Sequence, residues 1–374
     1  MKAFKIPLAR PDITQKDIDA VVKVLRTPHL SLGPKLSEFE GKIAEFTGTQ
    51  YAVAVNSGTS GLHLCVRSLG IQEGDEVITT PFSFVASANV MLYERAQPVF
   101  VDIDPETLNI DVSRVEERVG DATRALLPVH VFGYPCDMEP LVEIAVRHHL
   151  KIIEDACEAI GAEYNGQKVG TFGDCGVFAF YPNKQMTTGE GGAIVTDDAK
   201  IAQACRIMRN QGRESRWLEH PHLGFNYRIS DINCALGIAQ LERIHETLDR
   251  RERVAQMYHD RLKELDSLRI LSSSPSVKRS WFVYVVILDE RFTREDRNGI
   301  ISALGDKGIQ TNDYFVPIHL QPFYRKMFGY KRGDFPVAES ISDRTIALPF
   351  YNYLEETEIS YVCEHLEKEL RKQG

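Results

Sequence analysis

Apolar positions along the chain recur at two spacings, and segments of the two kinds alternate. Residues 16–26 and 37–46 repeat apolar side chains at the three- and four-residue spacing of a helix face, with Gly33-Pro34 punctuating between them. The short apolar run 51–55 follows as a strand, and then a helical pattern continues through Leu69. Further strands are predicted at 76–80, 98–101, 125–129, 151–154 and 176–180, and helices at 84–93, 112–119, 138–148 and 198–210. Short apolar runs alternating with helical patterns predict an α/β fold, a mainly parallel sheet covered on both faces. Ligands of such sheets bind beyond the carboxyl ends of the strands.

The pattern changes in the last third. A long helix is expected over 231–265, capped by Ser230. A polar break at 272–276 precedes a strand at 281–288, a helix at 294–305, a strand or loop at 310–317, and helices at 337–345 and 356–370. At 374 residues the chain is long for one unit. It divides into a large domain over 1–245, which includes the N-terminal helices, and a smaller α+β domain over 246–374. No G-x-G-x-x-G follows the first strand, which counts against dinucleotide binding.

Composition narrows the classes. An apolar fraction of 43% and a charged fraction of 26% are those of a soluble globular protein. The net charge of -9 opposes general binding to a phosphate backbone, so no nucleic-acid partner is expected, while a local anion site stays open. The first residues lack an apolar signal core and no apolar run is long enough to span a bilayer, so a cytoplasmic protein without a membrane partner is expected. Seven cysteines stand singly, which suggests reduced, buried thiols and neither a disulfide frame nor a zinc site.

Three places carry candidate chemistry. Lys184 lies between the strand 176–180 and the glycine-rich Thr187-Thr-Gly-Glu-Gly-Gly192. A lone loop lysine is ordinarily a solvated charge, but one held near apolar walls has its ammonium disfavoured and becomes an amine nucleophile. The small residues Asn56-Ser-Gly-Thr-Ser-Gly61 join a strand end to a helix start, where free N–H groups and the helix dipole favour an anion; an ordinary capped turn uses the same residues. Asp155 follows the strand 151–154, either as a cap or as the partner of a protonated ring nitrogen, and Glu158 lies near it on a helical turn or faces solvent.

Together these stretches resemble the DegT/DnrJ sugar-nucleotide aminotransferases, enzymes of the fold type I pyridoxal-phosphate (PLP) class. The resemblance runs through five stretches in the family's order: Asn56-Ser-Gly-Thr-Ser-Gly-Leu-His63, Pro128-Val-His-Val-Phe-Gly133, Glu154-Asp-Ala-Cys-Glu-Ala-Ile-Gly161, Tyr181-Pro-Asn-Lys-Gln-Met-Thr-Thr-Gly-Glu-Gly-Gly192 and Gly224-Phe-Asn-Tyr-Arg-Ile-Ser230. It implies a seven-stranded sheet, PLP bound as a Schiff base to Lys184, and Asp155 holding the pyridine nitrogen protonated. It further implies phosphate contacts from Gly58, Thr59 and Ser60, an aromatic contact from Phe84, and Asn226 reaching the phosphate of a neighbouring subunit in a homodimer. Two departures stand out: Ala179 where many members carry a phosphate-binding serine, and Glu158 where many carry glutamine.

The resemblance implies transfer of an amino group from glutamate to a nucleotide-linked 4-keto-6-deoxy sugar. The Thr187–Gly192 loop is similar to that of the C4-aminating, GDP-perosamine synthase-like enzymes, as is Pro317-Ile-His-Leu-Gln-Pro-Phe-Tyr324, within which His319 is expected at the substrate. The alternatives are a C3-acting aminotransferase and a PLP-binding regulatory relative without turnover. A sugar dehydratase of the same fold is disfavoured, because its relatives carry histidine where this chain has Lys184.

Overall fold

Seven short strands form the sheet that positions the candidate residues: β1 (Tyr51–Val55), β2 (Glu76–Thr79), β3 (Gln97–Phe100), β4 (Thr123–Leu126), β5 (Lys151–Asp155), β6 (Cys175–Ala179) and β7 (Gly192–Thr196). Their order is β1-β7-β6-β5-β4-β2-β3, and every pair is parallel except those that β7 makes with β1 and β6. The computed structural model describes residues 4–214, 216, 218–271 and 274–373; Met1, Lys2 and Ala3 of the lead and Ser272 and Ser273 of the polar break lie outside the described residues. Among the described residues no helix is long and apolar enough to cross a membrane.

Helices α1 (Gln15–Leu25) and α2 (Pro34–Thr47) precede the strands, α3 (Gly58–Ser68), α4 (Ala86–Tyr93) and α5 (Met138–His148) lie between them, and α6 (Ala199–Arg209), α7 (Asp231–Leu241) and α8 (Ile244–Leu262) follow β7. Their starts follow local chemistry. Ser57 caps α3 through the Ser60 N–H, Asp198 caps α6, and Ser230 caps α7 through the Asn233 N–H, as expected of that serine. Proline opens α2, where its missing N–H costs nothing.

Two expected helices differ. The 112–119 segment forms two short 3-10 turns, Val112–Arg114 and Glu116–Arg118. Only three valines offer it an apolar face, too little to stabilise a longer helix. The run expected over 231–265 breaks into α7 and α8 around Arg243, whose guanidinium is bound to Asp12 and Asp17 of the N-terminal segment.

Strand β7 was not anticipated from the sequence. All five of its residues are buried, and it forms a hairpin with β6, so the 180–191 connection that holds Lys184 turns back over the sheet. Gly192 of β7 pairs with both Val55 of β1 and Ala179 of β6. One side of the sheet therefore gathers the ends of β1, β5 and β6 beside the lysine loop.

A second, antiparallel sheet contains Leu268–Ile270, Tyr284–Leu288 and Thr345–Leu348, in that spatial order. The middle strand starts at Tyr284, later than expected, because Arg251 occupies the backbone carbonyls of Trp281 and Phe282. Around it lie α9 (Arg294–Asp306), α10 (Pro322–Phe328), α11 (Pro336–Arg344) and α12 (Glu356–Gln373); α10 was unforeseen, and 310–317 is irregular. Ile6 joins the apolar core of this small sheet, while Phe315, Ile318 and Tyr324 join the core of the large one.

Glu154 and His319 are two buried polar anchors. Glu154 accepts the N–H groups of Gly170, Phe172 and Gly173 and meets the His130 ring at 3.1 Å, pinning the loop ahead of β6 to β5. His319, expected at a substrate, is instead 0% exposed: its Nε2 lies 2.9 Å from Glu339, and its ring packs against Phe335. Glu339 also accepts the Gly333 and Phe335 N–H groups, so the pair fastens residues 319–335 to the helix that carries Glu339.

Burial lowers the His319 pKa against the opposing pull of Glu339. A base depressed in the fold is protonated more readily in the unfolded chain, so stability should fall as pH drops below the ordinary imidazole value of about 6.5. We expect His319→Gln to show a smaller loss of unfolding midpoint between neutral and mildly acidic pH than the unaltered protein. Equal losses would remove His319 as the source.

Candidate active site

A cavity of about 450 Å³ opens at the carboxyl ends of the parallel strands, with Lys184 in its wall. Thr187 and Thr188 shape the lysine loop from within: the Thr187 hydroxyl and the Thr188 N–H both bond to the Phe180 carbonyl. Gln185, the next residue after the lysine, donates its amide to the Glu158 carbonyl at 2.6 Å and to the Ser280 hydroxyl at 2.9 Å. The loop is thereby tied both to the segment after β5 and to the start of the smaller sheet's region. Lys184 Nζ lies 3.8 Å from the centre of the Phe282 ring and 3.3 Å from Glu158 Oε1. The amine thus has one apolar wall and one carboxylate.

Asp155, the last residue of β5, and Glu158, on the segment after it, have different supports. Asp155 Oδ2 accepts the Ser87 hydroxyl at 2.6 Å, Ser87 is in turn bonded to Ser83, and Oδ1 accepts the Cys157 N–H. Glu158 Oε2 accepts the Phe132 N–H at 2.9 Å. Burial pushes the Glu158 carboxyl above the usual carboxylate range, although the Lys184 charge and the Phe132 N–H pull it down.

The turn after β1 forms a third wall. Ser57 takes the Ser60 N–H on its hydroxyl and the Gly61 N–H on its carbonyl. The N–H groups of Gly58 and Thr59 make no bond among the described residues, and both residues line the cavity. A Cβ on Gly58 would come within 2.8 Å of both Ala179 Cβ and Cys157 Sγ, so only glycine lets the helix start approach this wall. Such a helix start is an anion site.

Of the residues singled out in the sequence, Lys184, Asp155, Glu158, Gly58, Thr59 and Phe84 line this one cavity. Phe84 is 62% exposed there, an aromatic ring left for a ligand to cover. Ser60 does not line the cavity; its hydroxyl is bonded to Asn56 and Ser57 and it stabilises the turn. Asn226 is exposed, with its carbonyl accepting the Asn56 amide, and lines no part of its own chain's cavity. His319 is also absent from the lining. Ala179 is present in the wall but offers no hydroxyl.

Sequence reasoning missed Ser87, Gln185, Phe282 and Tyr314. The pair Ser83 and Ser87, one helical turn apart beside Phe84, was a usable signal for the first. Phe282 and Tyr314 come from the distant C-terminal part and carried none. A ligand combining an aldehyde, a ring nitrogen and a phosphate finds a partner for each group here: an amine, a fixed carboxylate and a helix start.

Comparison with known proteins identifies relatives of this chain. Residues 11–367 match the model of the DegT/DnrJ/EryC1/StrS aminotransferase family. The chain is 38% identical to the GDP-perosamine synthase of Caulobacter vibrioides over 98% of each chain. Its fold superposes with a TM-score of 0.94 on Helicobacter pylori PseC, an aminotransferase of pseudoaminic acid biosynthesis, at 29% identity over 99% of this chain and 100% of that one. The TM-score is 0.95 for the PMP form of Spr1654 from Streptococcus pneumoniae, described as a putative sugar aminotransferase, at 27% identity over 99% and 100% of the two chains. The chain belongs to the DegT/DnrJ/EryC1/StrS aminotransferase family.

Proposed function

We propose that this aminotransferase uses PLP, held in the Lys184 cavity, to move an amino group from glutamate to C4 of a nucleotide-linked 4-keto-6-deoxy sugar. The observation that carries the reading is the convergence of the Lys184 amine and the fixed Asp155 carboxylate on one cavity with a helix start. When bound, PLP supplies an aldehyde that takes up amines reversibly and a ring that accepts electron density.

The chain's own residues then divide the work. Lys184 Nζ anchors the aldehyde and, when released, is placed to carry a proton to and from the reacting carbon. Asp155, fixed by Ser87, keeps a proton on the ring nitrogen. The Gly58 and Thr59 N–H groups and the dipole of α3 hold the phosphate. Phe282, Phe315 and Tyr314 line the cavity and shield it from water. Burial pushes the Tyr314 phenol up to about 12, so at neutral pH it is a neutral donor.

The sugar reading draws on the resemblance to GDP-perosamine synthase and on the Thr187–Gly192 loop. We further propose a homodimer in which Asn226 reaches the phosphate of the partner's site; its exposure, away from its own cavity, is compatible with that role.

Borohydride should fix PLP covalently to the unaltered protein and not to Lys184→Ala, with the label found at Lys184 by peptide mass spectrometry. Label on another lysine would reject the assignment. With glutamate as donor, a panel of GDP-, UDP- and dTDP-linked 4-keto-6-deoxy sugars should contain an acceptor aminated at C4, and a panel wholly inert would count against the sugar reading.

Ser87→Ala removes one hydrogen bond to a charged carboxylate, worth roughly 1.5 kcal/mol, and should lower kcat about tenfold while leaving the Lys184 label intact. Unchanged turnover would show that Asp155 needs no such support.

A further inference from the structure

Glu158 is the residue at this site whose charge the proposed chemistry leaves unaccounted for. It is buried, with Oε1 3.3 Å from Lys184 Nζ and Oε2 on the Phe132 N–H. The titratable groups facing it are Lys184 from the loop after β6, Asp155 and Cys157 from its own segment, and Tyr314 from the 310–317 stretch. Arg279, packed nearby, directs its guanidinium to the Phe132 carbonyl and the Trp281 ring. Among the described residues, Lys184 is therefore the cation in contact with this carboxylate.

We propose that Glu158 is the proton store of the site: a carboxylate while Lys184 is an ammonium, and a neutral carboxyl whenever that amine has lost its charge. The inference rests on the reading of Lys184 as the amine that captures an aldehyde. Without the ammonium, Glu158 would be a buried anion next to a second anion, Asp155, and uptake of a proton is the less costly outcome. Both oxygens of Asp155 already accept hydrogen bonds, from the Ser87 hydroxyl and the Cys157 N–H, whereas Glu158 Oε1 faces the lysine amine.

The proton count closes within the pair. When the Lys184 ammonium forms a carbon–nitrogen double bond with an aldehyde, the aldehyde oxygen leaves as water with two of the three ammonium protons. The third proton is released, and Glu158 Oε1 is the neighbouring oxygen that can accept it. Hydrolysis of the bond reverses each transfer. Glutamine at this position could keep only one of the two acceptor contacts and could not hold the proton. The upward push that burial already exerts on Glu158 with Lys184 in place is in the same direction.

Two measurements test this, and the first needs no cofactor. Infrared spectra of cofactor-free Lys184→Ala and Lys184→Met, with carbon-13-labelled glutamate, should show the carbonyl band of a protonated carboxyl at neutral pH. That band should vanish when Glu158→Gln is added. The second is calorimetry of PLP loading in buffers of different ionisation enthalpy, where the unaltered protein should release about one proton fewer per site than Glu158→Gln. A missing band in both uncharged-lysine variants, or equal proton counts, would overturn the proposal. Failure of the unaltered protein to take up PLP at all would instead reject the proposed function, while the infrared band would still decide the state of Glu158.

Discussion

Charge compensation in a largely apolar cavity is the constraint on which the site depends. Lys184, Glu158 and Asp155 meet at the carboxyl ends of the strands, where an unpaired charge is costly. Removing one partner of such a buried pair typically costs about 3–5 kcal/mol. Each charged group accordingly has a named support: Glu158 and the Phe282 ring for Lys184, the Phe132 N–H for Glu158, and Ser87 with the Cys157 N–H for Asp155. The supports come from four separate parts of the chain, so the site exists only in the folded protein.

Topology brings those parts together. Because β7 runs antiparallel between β1 and β6, the loop that holds Lys184 folds back beside the turn that ends β1. Strand β5 serves both faces of the sheet. Glu154 points to one side and pins the 170–173 loop, whereas Asp155, the next residue, points to the other and lines the cavity. The Ala179 departure fits the same packing, since its methyl group lies against Gly58, where the helix start comes closest.

The α/β alternation was legible because its strands are short apolar runs buried on both faces. Lys184, Asp155 and Gly58 were legible because they stand at or beyond the ends of strands, where α/β sheets bind ligands. Strand β7 was hidden because Gly192-Ala-Ile-Val-Thr196 reads as the tail of a glycine-rich loop. The break at Arg243 depends on Asp12 and Asp17, more than two hundred residues away. His319 was misplaced for the same reason: Glu339 and Phe335, which bury it, become its neighbours only through tertiary packing. Ser87 and Phe282 likewise acquire their significance from contacts with Asp155 and Lys184 that no local pattern carries.

The proposed function requires this cavity to hold a ring nitrogen in its protonated form against Asp155, next to the Lys184 amine. Nitrogen-15 NMR of the protein reconstituted with PLP labelled at the ring nitrogen tests it most directly. The account predicts the chemical shift of a protonated pyridine nitrogen in the unaltered protein and of a neutral one in Asp155→Asn. A neutral nitrogen in the unaltered protein, or the same shift in both, would contradict it.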